Sequence, residues 1–323
     1  MAPRREVALS GIIDVDKPAG MTSHDVVDAM RCMAGQRKVG HAGTLDPLAS
    51  GVLLLCLGQA TRVVEYLMAG QKSYRATILL GQTTTTYDVE GEVLTSGGRT
   101  DLSLAEIEAA LGGFVGSIEQ VPPIYSALKR QGQPLYRLAR QGKDVERLPR
   151  AVEIHGLELL GWTPPFLIVE VICSPGTYVR SLANDLGQRL GTGACLAGLV
   201  RLKSGHFSLE EAVSLERLEE AFQRGQEGDY LLPVDEALLH LPALILTQAD
   251  TQRITQGQFI KALQSPTSRI SPPSGRSPSG DEEGDNLQPP VECRAYSSTG
   301  DLVAILAYDP ATASWRPRKV FAA

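Results

Sequence analysis

Residues 38–51, Lys-Val-Gly-His-Ala-Gly-Thr-Leu-Asp-Pro-Leu-Ala-Ser-Gly, set one carboxylate, Asp46, in a loop punctuated by glycines. Pro47 disfavours helical backbone at the residue before it, which biases Asp46 toward an extended conformation. Gly40, Gly43 and Gly51 permit tight turns or close approach of a ligand. The apolar run Val52 to Leu57 that follows reads as a buried strand. An acid on a stiff loop at a strand edge suits a nucleophile or a base. Asp-Pro is also an ordinary turn signal, so this segment alone assigns no chemistry.

Two further segments do. Residues 14–23 run Asp-Val-Asp-Lys-Pro-Ala-Gly-Met-Thr-Ser, and residues 173–187 run Cys-Ser-Pro-Gly-Thr-Tyr-Val-Arg-Ser-Leu-Ala-Asn-Asp-Leu-Gly. With the first segment, in this order and at these separations, they closely resemble the bacterial tRNA pseudouridine-55 synthase family over approximately residues 10 to 240. The C-terminal part more weakly resembles a small RNA-binding PUA domain. The resemblance implies an α+β fold: a mixed-sheet pseudouridine synthase catalytic domain over residues 1–240 and a small β-rich PUA-like domain over 241–323.

The implied reaction breaks the C1′–N1 bond of uridine and joins C1′ to C5 of the same base, with no redox change, so no cofactor is required. It needs an ionised carboxylate, a base for the C5 proton and walls that hold the detached uracil. By resemblance Asp46 is the carboxylate; whether it adds to C1′, adds to C6 or removes a ribose proton stays open. Arg180 matches the arginine that pairs with it, a partner that lowers a carboxylate pKa by about 1–3 units and offsets the rise from burial. Tyr74 corresponds to the tyrosine that stacks on the target base and is placed to help with the proton transfer, so that Asp46, Tyr74 and Arg180 are the implied catalytic residues, and Tyr178 and Leu199 match positions lining the uracil pocket. His41 matches the histidine that fills the space left by the extruded nucleotide, and Arg62 a basic residue near the target phosphate. Lys17, Pro18 and Gly20 read as support for the Asp46 loop.

The elements that must position these residues alternate without a regular βαβ rhythm, which favours a mixed sheet over a doubly wound one. Gly11 to Val15 is a short strand, and Thr22 to Asp25 has the form of a capping box opening a helix that runs to about Cys32. Ser73 to Leu80 alternates, with Tyr74, Ala76, Ile78 and Leu80 on one face. Leu104 to Leu111 reads as an amphipathic helix. Phe166 to Cys173 is an apolar strand that turns into a helix near Thr177, which puts Tyr178 and Arg180 on a first helical turn.

Residues 121–150 carry Lys129, Arg130, Arg137, Arg140, Lys143, Arg147 and Arg150 against Asp144 and Glu146, with Tyr125 and Tyr136 interleaved. This local charge opposes the global −6, so any grip on RNA must come from such a patch. On charge alone the better reading is a solvated amphipathic helix with basic flanks; by resemblance the segment is the thumb-like insertion that clasps the tRNA T-arm. Residues 265–290 are dominated by Ser, Pro and Gly around an acidic cluster, a composition that cannot bury a core, and interrupt the C-terminal domain. Before them a helix is expected from Gln248, and beyond them Val291 to Ser297 and Leu302 to Tyr308 alternate as strands.

Other classes are poorly supported. Gly191, Gly193 and Gly198 fail the dinucleotide-binding pattern at Leu196, the five histidines lack metal-ligand spacing, and no serine nucleophile elbow occurs. The five scattered cysteines read as reduced thiols of a soluble, cytoplasmic protein, and no run is of membrane-spanning length. We expect a monomer acting on the tRNA T-arm, with no metal, membrane or guide RNA. The alternatives are a non-catalytic tRNA-binding or folding factor on the same scaffold, and a glycoside or nucleoside hydrolase, which needs a second flanking acid that the motifs do not supply.

Overall fold

The structure is a computed structural model that describes residues 8–124, 129–130, 133–134, 147–261 and 291–321. The chain forms two compact units, one of Ile13–Leu55 and Leu67–Tyr230, the other of Cys56–Tyr66 and Leu231–Ala323 with the stretch ending at Ile12.

A mixed sheet organises the first unit. Its strands are β1 (Gly11–Lys17), β2 (Val39–Ala42), β3 (Ala49–Leu57), β4 (Lys72–Leu80), β7 (Gly116–Gln120), β10 (Arg150–Thr163), β11 (Phe166–Cys173), β12 (Ala194–Ser204), β13 (Phe207–Ser208) and β14 (Val213–Ser214). Short hairpins join β5 (Thr83–Thr84) to β6 (Val93–Thr95) and β8 (Lys129–Arg130) to β9 (Gln133–Pro134). The sheet order is β14-β1-β3-β12-β4-β11-β10-β7. β12 runs parallel to β3 and antiparallel to β4, which is the mixed, non-doubly-wound sheet expected from the sequence.

The elements follow their local signals. Helix α1 (Ser23–Ala34) opens on Thr22 with both halves of the capping box made and closes on Gly35 in left-handed backbone, a cap whose loss costs about 0.5–2 kcal/mol. Residues 52–57 of β3 are fully buried, as a near-continuous apolar run flanked by strands on both sides must be. Helix α2 (Leu104–Gly112) buries Ile107, Ala110 and Leu111, and α3 (Val179–Leu190) is capped by Tyr178, so it begins two residues later than Thr177 suggests.

The second unit holds a five-stranded sheet, β15-β17-β18-β19-β16, of β15 (Ala243–Ile245), β16 (Ile260–Lys261), β17 (Glu292–Tyr296), β18 (Leu302–Asp309) and β19 (Ser314–Val320). Helix Gln248–Thr255 buries Ile254 against Leu246, Cys293, Leu306 and the almost wholly buried Trp315. The expected strands after residue 290 are therefore present. Residues 265–290 lie outside the described residues.

Candidate active site

Asp46 sits between β2 and β3, where Pro47 allows no helix and the Ala49 amide bonds back to the Asp46 carbonyl at 3.0 Å. The loop is braced from two sides. The Gly20 amide donates to the Pro47 carbonyl at 2.8 Å, and Ser23 Oγ donates to the Leu45 carbonyl at 3.0 Å while accepting from the Leu45 amide at 2.8 Å. Lys17 is fully buried, and its Nζ donates to the carbonyls of Pro18 at 2.8 Å and Met21 at 2.6 Å, fixing the segment that holds Pro47. Lys17 and Gly20 thus stand where support for the Asp46 loop requires them.

Arg180, the second residue of α3, meets Asp46 side-on: Nε lies 2.9 Å from Oδ2 and Nη2 3.0 Å from Oδ1. Two parallel charge-assisted bonds fix the carboxylate plane as well as its place. The Arg180 side chain is 6% exposed, whereas Asp46 keeps 34%, so the open edge of the pair is the carboxylate. Burial pushes the Asp46 carboxyl above its usual range, and Arg180 pulls it back without reversing the shift. The offset expected from Arg180 is therefore partial, because burial outweighs it and Asp88 adds a smaller repulsion.

Asp88 is the residue that motif reading missed. Its Oδ2 accepts from Arg180 Nη1 at 3.2 Å, and its Oδ1 accepts from Thr86 Oγ1 at 2.5 Å and the Glu90 amide at 3.1 Å. Arg180 Nη1 also lies 3.4 Å from the Thr86 carbonyl. The threonine-rich stretch 83–86 closing on Asp88 and Gly91 was the available signal. Its pairing with an arginine 92 positions away was not.

Tyr74, Ala76, Leu199 and Arg201 share one face, because Tyr74 pairs with Arg201 and Ala76 with Leu199 across β4 and β12. Leu199 in turn pairs with Ala49, three residues beyond Asp46. The half-buried Tyr74 has its phenol pushed up by burial, and Arg201 draws it down again by its charge and a hydrogen bond. Arg201, 1% exposed within the otherwise apolar stretch 194–202 of β12, donates to the Val52 carbonyl at 2.6 Å and the Gly43 carbonyl at 3.1 Å. It ties the tyrosine to the loop carrying Asp46 and was also missed, although an arginine inside an apolar run was a legible anomaly.

Tyr178 caps α3 and is held at both backbone groups by buried Gln120, whose Oε1 accepts from its amide at 3.0 Å and whose Nε2 donates to its carbonyl at 3.3 Å. His41 lies half-buried on β2, and burial lowers its pKa, which favours the neutral ring. Arg62 belongs to the second unit, where its Nη1 donates to the Val320 carbonyl and its guanidinium lies 5.2 Å from the Phe321 ring. Lys129 and Arg130 form one strand of a short hairpin. Arg137 and Arg140 lie outside the described residues. Arg147 Nη1 bonds the Pro122 carbonyl at 3.2 Å, pinning the far end of the basic segment to its start. No cluster of three His, Cys, Asp or Glu suited to a metal occurs among the described residues, and no described helix is long and apolar enough to cross a membrane.

Residues 31–179 match the model of the TruB family pseudouridylate synthase N-terminal domain, and 180–239 that of the tRNA pseudouridylate synthase B C-terminal domain. The tRNA pseudouridine synthase B of Syntrophotalea carbinolica is 47% identical over 77% of this chain and 81% of its own. That of Dehalococcoides mccartyi is 40% identical over 97% of both. Among solved structures, an H/ACA RNP bound to a substrate RNA containing 2′-deoxyuridine superimposes with a TM-score of 0.69 at 24% identity, covering 97% of this chain and 85% of that one. A Cbf5-Nop10-Gar1 complex does so with 0.66 at 26% identity, covering 92% and 78%.

Proposed function

This chain belongs to the tRNA pseudouridine synthase B family, and from that premise we propose that it converts the T-loop uridine of tRNA to pseudouridine with Asp46 as the acting carboxylate. The observation that carries the reading is the Asp46–Arg180 pair: an ion pair closed at the arginine and open at the carboxylate. An acid so held can act on C1′, on C6 or on a ribose proton without turning away, and effective molarity rewards that fixity.

Tyr74 and Leu199, on the face next to the Asp46 loop, suit the walls of a uracil pocket, with Tyr178 completing it at the helix start. Flipping the nucleotide out of its stack costs a few kcal/mol, and one aromatic stack returns about 1–3 kcal/mol. More than one such interaction is needed, and His41 with Tyr74 meets that requirement. The catalytic domain is read over residues 1–240. The basic segment with Lys129, Arg130, Arg137 and Arg140 holds the T-arm backbone, Arg62 lies near the target phosphate, and the PUA-like domain spans 241–323. The protein works as a monomer without guide RNA, in the cytoplasm.

Incubation of the purified chain with unmodified tRNA, followed by chemical mapping of pseudouridine, tests this directly. Product at the T-loop uridine is expected. RNA bound but unchanged would favour a folding factor, and release of free uracil would favour a hydrolase.

A further inference from the structure

Tyr87 has left-handed backbone, φ 65°, and is one of two non-glycine residues with positive φ among those described. For a side chain with a Cβ this conformation costs roughly 1–2 kcal/mol, and only Gly, or less often Asn or Asp, adopts it readily. The conformation is imposed from outside. The Tyr87 carbonyl accepts from the Leu196 amide and the Val89 amide donates to the Leu196 carbonyl, each at 2.9 Å, so the loop is clamped to β12 on both sides of Asp88. On the other flank the Thr86 carbonyl and the Asp88 carboxylate both receive Arg180 Nη1. The backbone between these anchors must turn at residue 87, and glycine would make that turn without strain.

A tyrosine stands there instead. The residue is half-buried, and it sits in sequence between the two groups that hold Arg180, the partner of Asp46. Strain kept beside a reacting group calls for a return that the backbone does not supply. We propose that Tyr87 is a further substrate-contacting residue, offering its ring to a base of the RNA next to the target uridine. The inference rests on the RNA-modifying reading above. It adds a stacking surface to that site, since aromatic faces accept any base.

The test compares Tyr87→Gly and Tyr87→Phe on an unmodified T-arm stem-loop, with melting temperature measured on the same preparations. Tyr87→Gly is expected to melt at or above the wild-type temperature, because the strain is gone, and to bind the stem-loop roughly 5- to 150-fold more weakly, the loss of one base stack. Tyr87→Phe should bind within about twofold of wild type, since the ring face is retained. Wild-type affinity in Tyr87→Gly would overturn the inference. So would a lower melting temperature with affinity intact, which would show that the ring packs within the protein, or a loss in Tyr87→Phe equal to that in Tyr87→Gly. Wild-type protein assayed alongside keeps the two levels apart: if it forms no pseudouridine, the functional reading fails and takes this inference with it.

Discussion

Asp88 grips the guanidinium that Asp46 takes side-on: Arg180 Nη1 lies 3.2 Å from Asp88 Oδ2, while Nε and Nη2 of the same group face Asp46. The two carboxylates differ in exposure. Asp88 is 5% exposed with both oxygens bonded, and Asp46 is 34% exposed with its outer edge open. A buried, doubly bonded carboxylate cannot serve as the second acid that glycoside hydrolysis needs. It orients Arg180, and Arg180 orients Asp46.

That relay makes Asp88→Asn a positioning variant. A hydrogen bond to a charged group contributes about 1.5–3 kcal/mol, so the single-turnover rate should fall on the order of 10- to 150-fold with T-arm affinity nearly unchanged. Rapid-quench measurement at saturating enzyme checks it. A wild-type rate would mean that Arg180 holds its place without Asp88.

Acid should disable the site earlier than an ordinary aspartate would allow. Asp46 is pushed up, first by burial, and in the proposed reaction it acts ionised, so the rate should fall as pH drops through a value above 3.8. Lys17 and Arg180 both lower that value, so Arg180→Met should shift the acid limb further up in pH as well as reduce the plateau. A pH–rate profile of both proteins decides this. An acid limb that stays in place would show that Arg180 does not govern the ionisation of Asp46.

Asp14 should erode stability as pH rises. It is 6% exposed, neither carboxylate oxygen has a hydrogen bond, and burial, then Glu211, pushes it to about 7 against a slight pull from Arg201. Between its ordinary value of 3.8 and about 7 the folded state holds a proton that the unfolded state has released, so this group's contribution is lost as pH climbs through that window. Asp14→Asn removes the dependence. Its melting temperature should gain on the wild type from pH 5 to pH 8, and parallel curves would refute the assignment.

Much of the site was legible because its signals are local. The capping box at Thr22, the break imposed by Pro47 and the apolar run from Val52 each act through neighbouring residues, and the elements formed where they pointed. Asp88, Gln120 and Arg201 were not legible as site residues, since each acts across 58 to 149 positions of chain through bonds that only the folded sheet creates. The engagement of the Arg62 guanidinium with Val320 and Phe321 likewise spans a sequence distance that no local signal reports.

The basic segment should carry the salt-sensitive part of RNA binding. The chain is net negative, and two of the cations inside the site, Arg180 and Arg201, are already bonded to carboxylates or carbonyls. Replacing Lys129, Arg130, Arg137 and Arg140 with Gln should therefore weaken T-arm binding and reduce the slope of log affinity against log salt by roughly one for each phosphate no longer neutralised, with little change in rate at saturation. An unchanged slope would identify the segment as a solvated surface.

Asp46 itself should be needed for chemistry far more than for binding. Asparagine keeps the size of the side chain and can still turn an oxygen toward Arg180, but it has no negative charge. Asp46→Asn should bind the T-arm within about tenfold of wild type, or roughly 1.4 kcal/mol, and form no detectable pseudouridine. Part of any affinity change comes from Arg180, which keeps its bond to Asp88 Oδ2 while the charge of Asp46 is gone. More than a few per cent of the wild-type single-turnover rate in Asp46→Asn would sink the mechanism, because Asp88 is buried with both oxygens occupied and cannot take over.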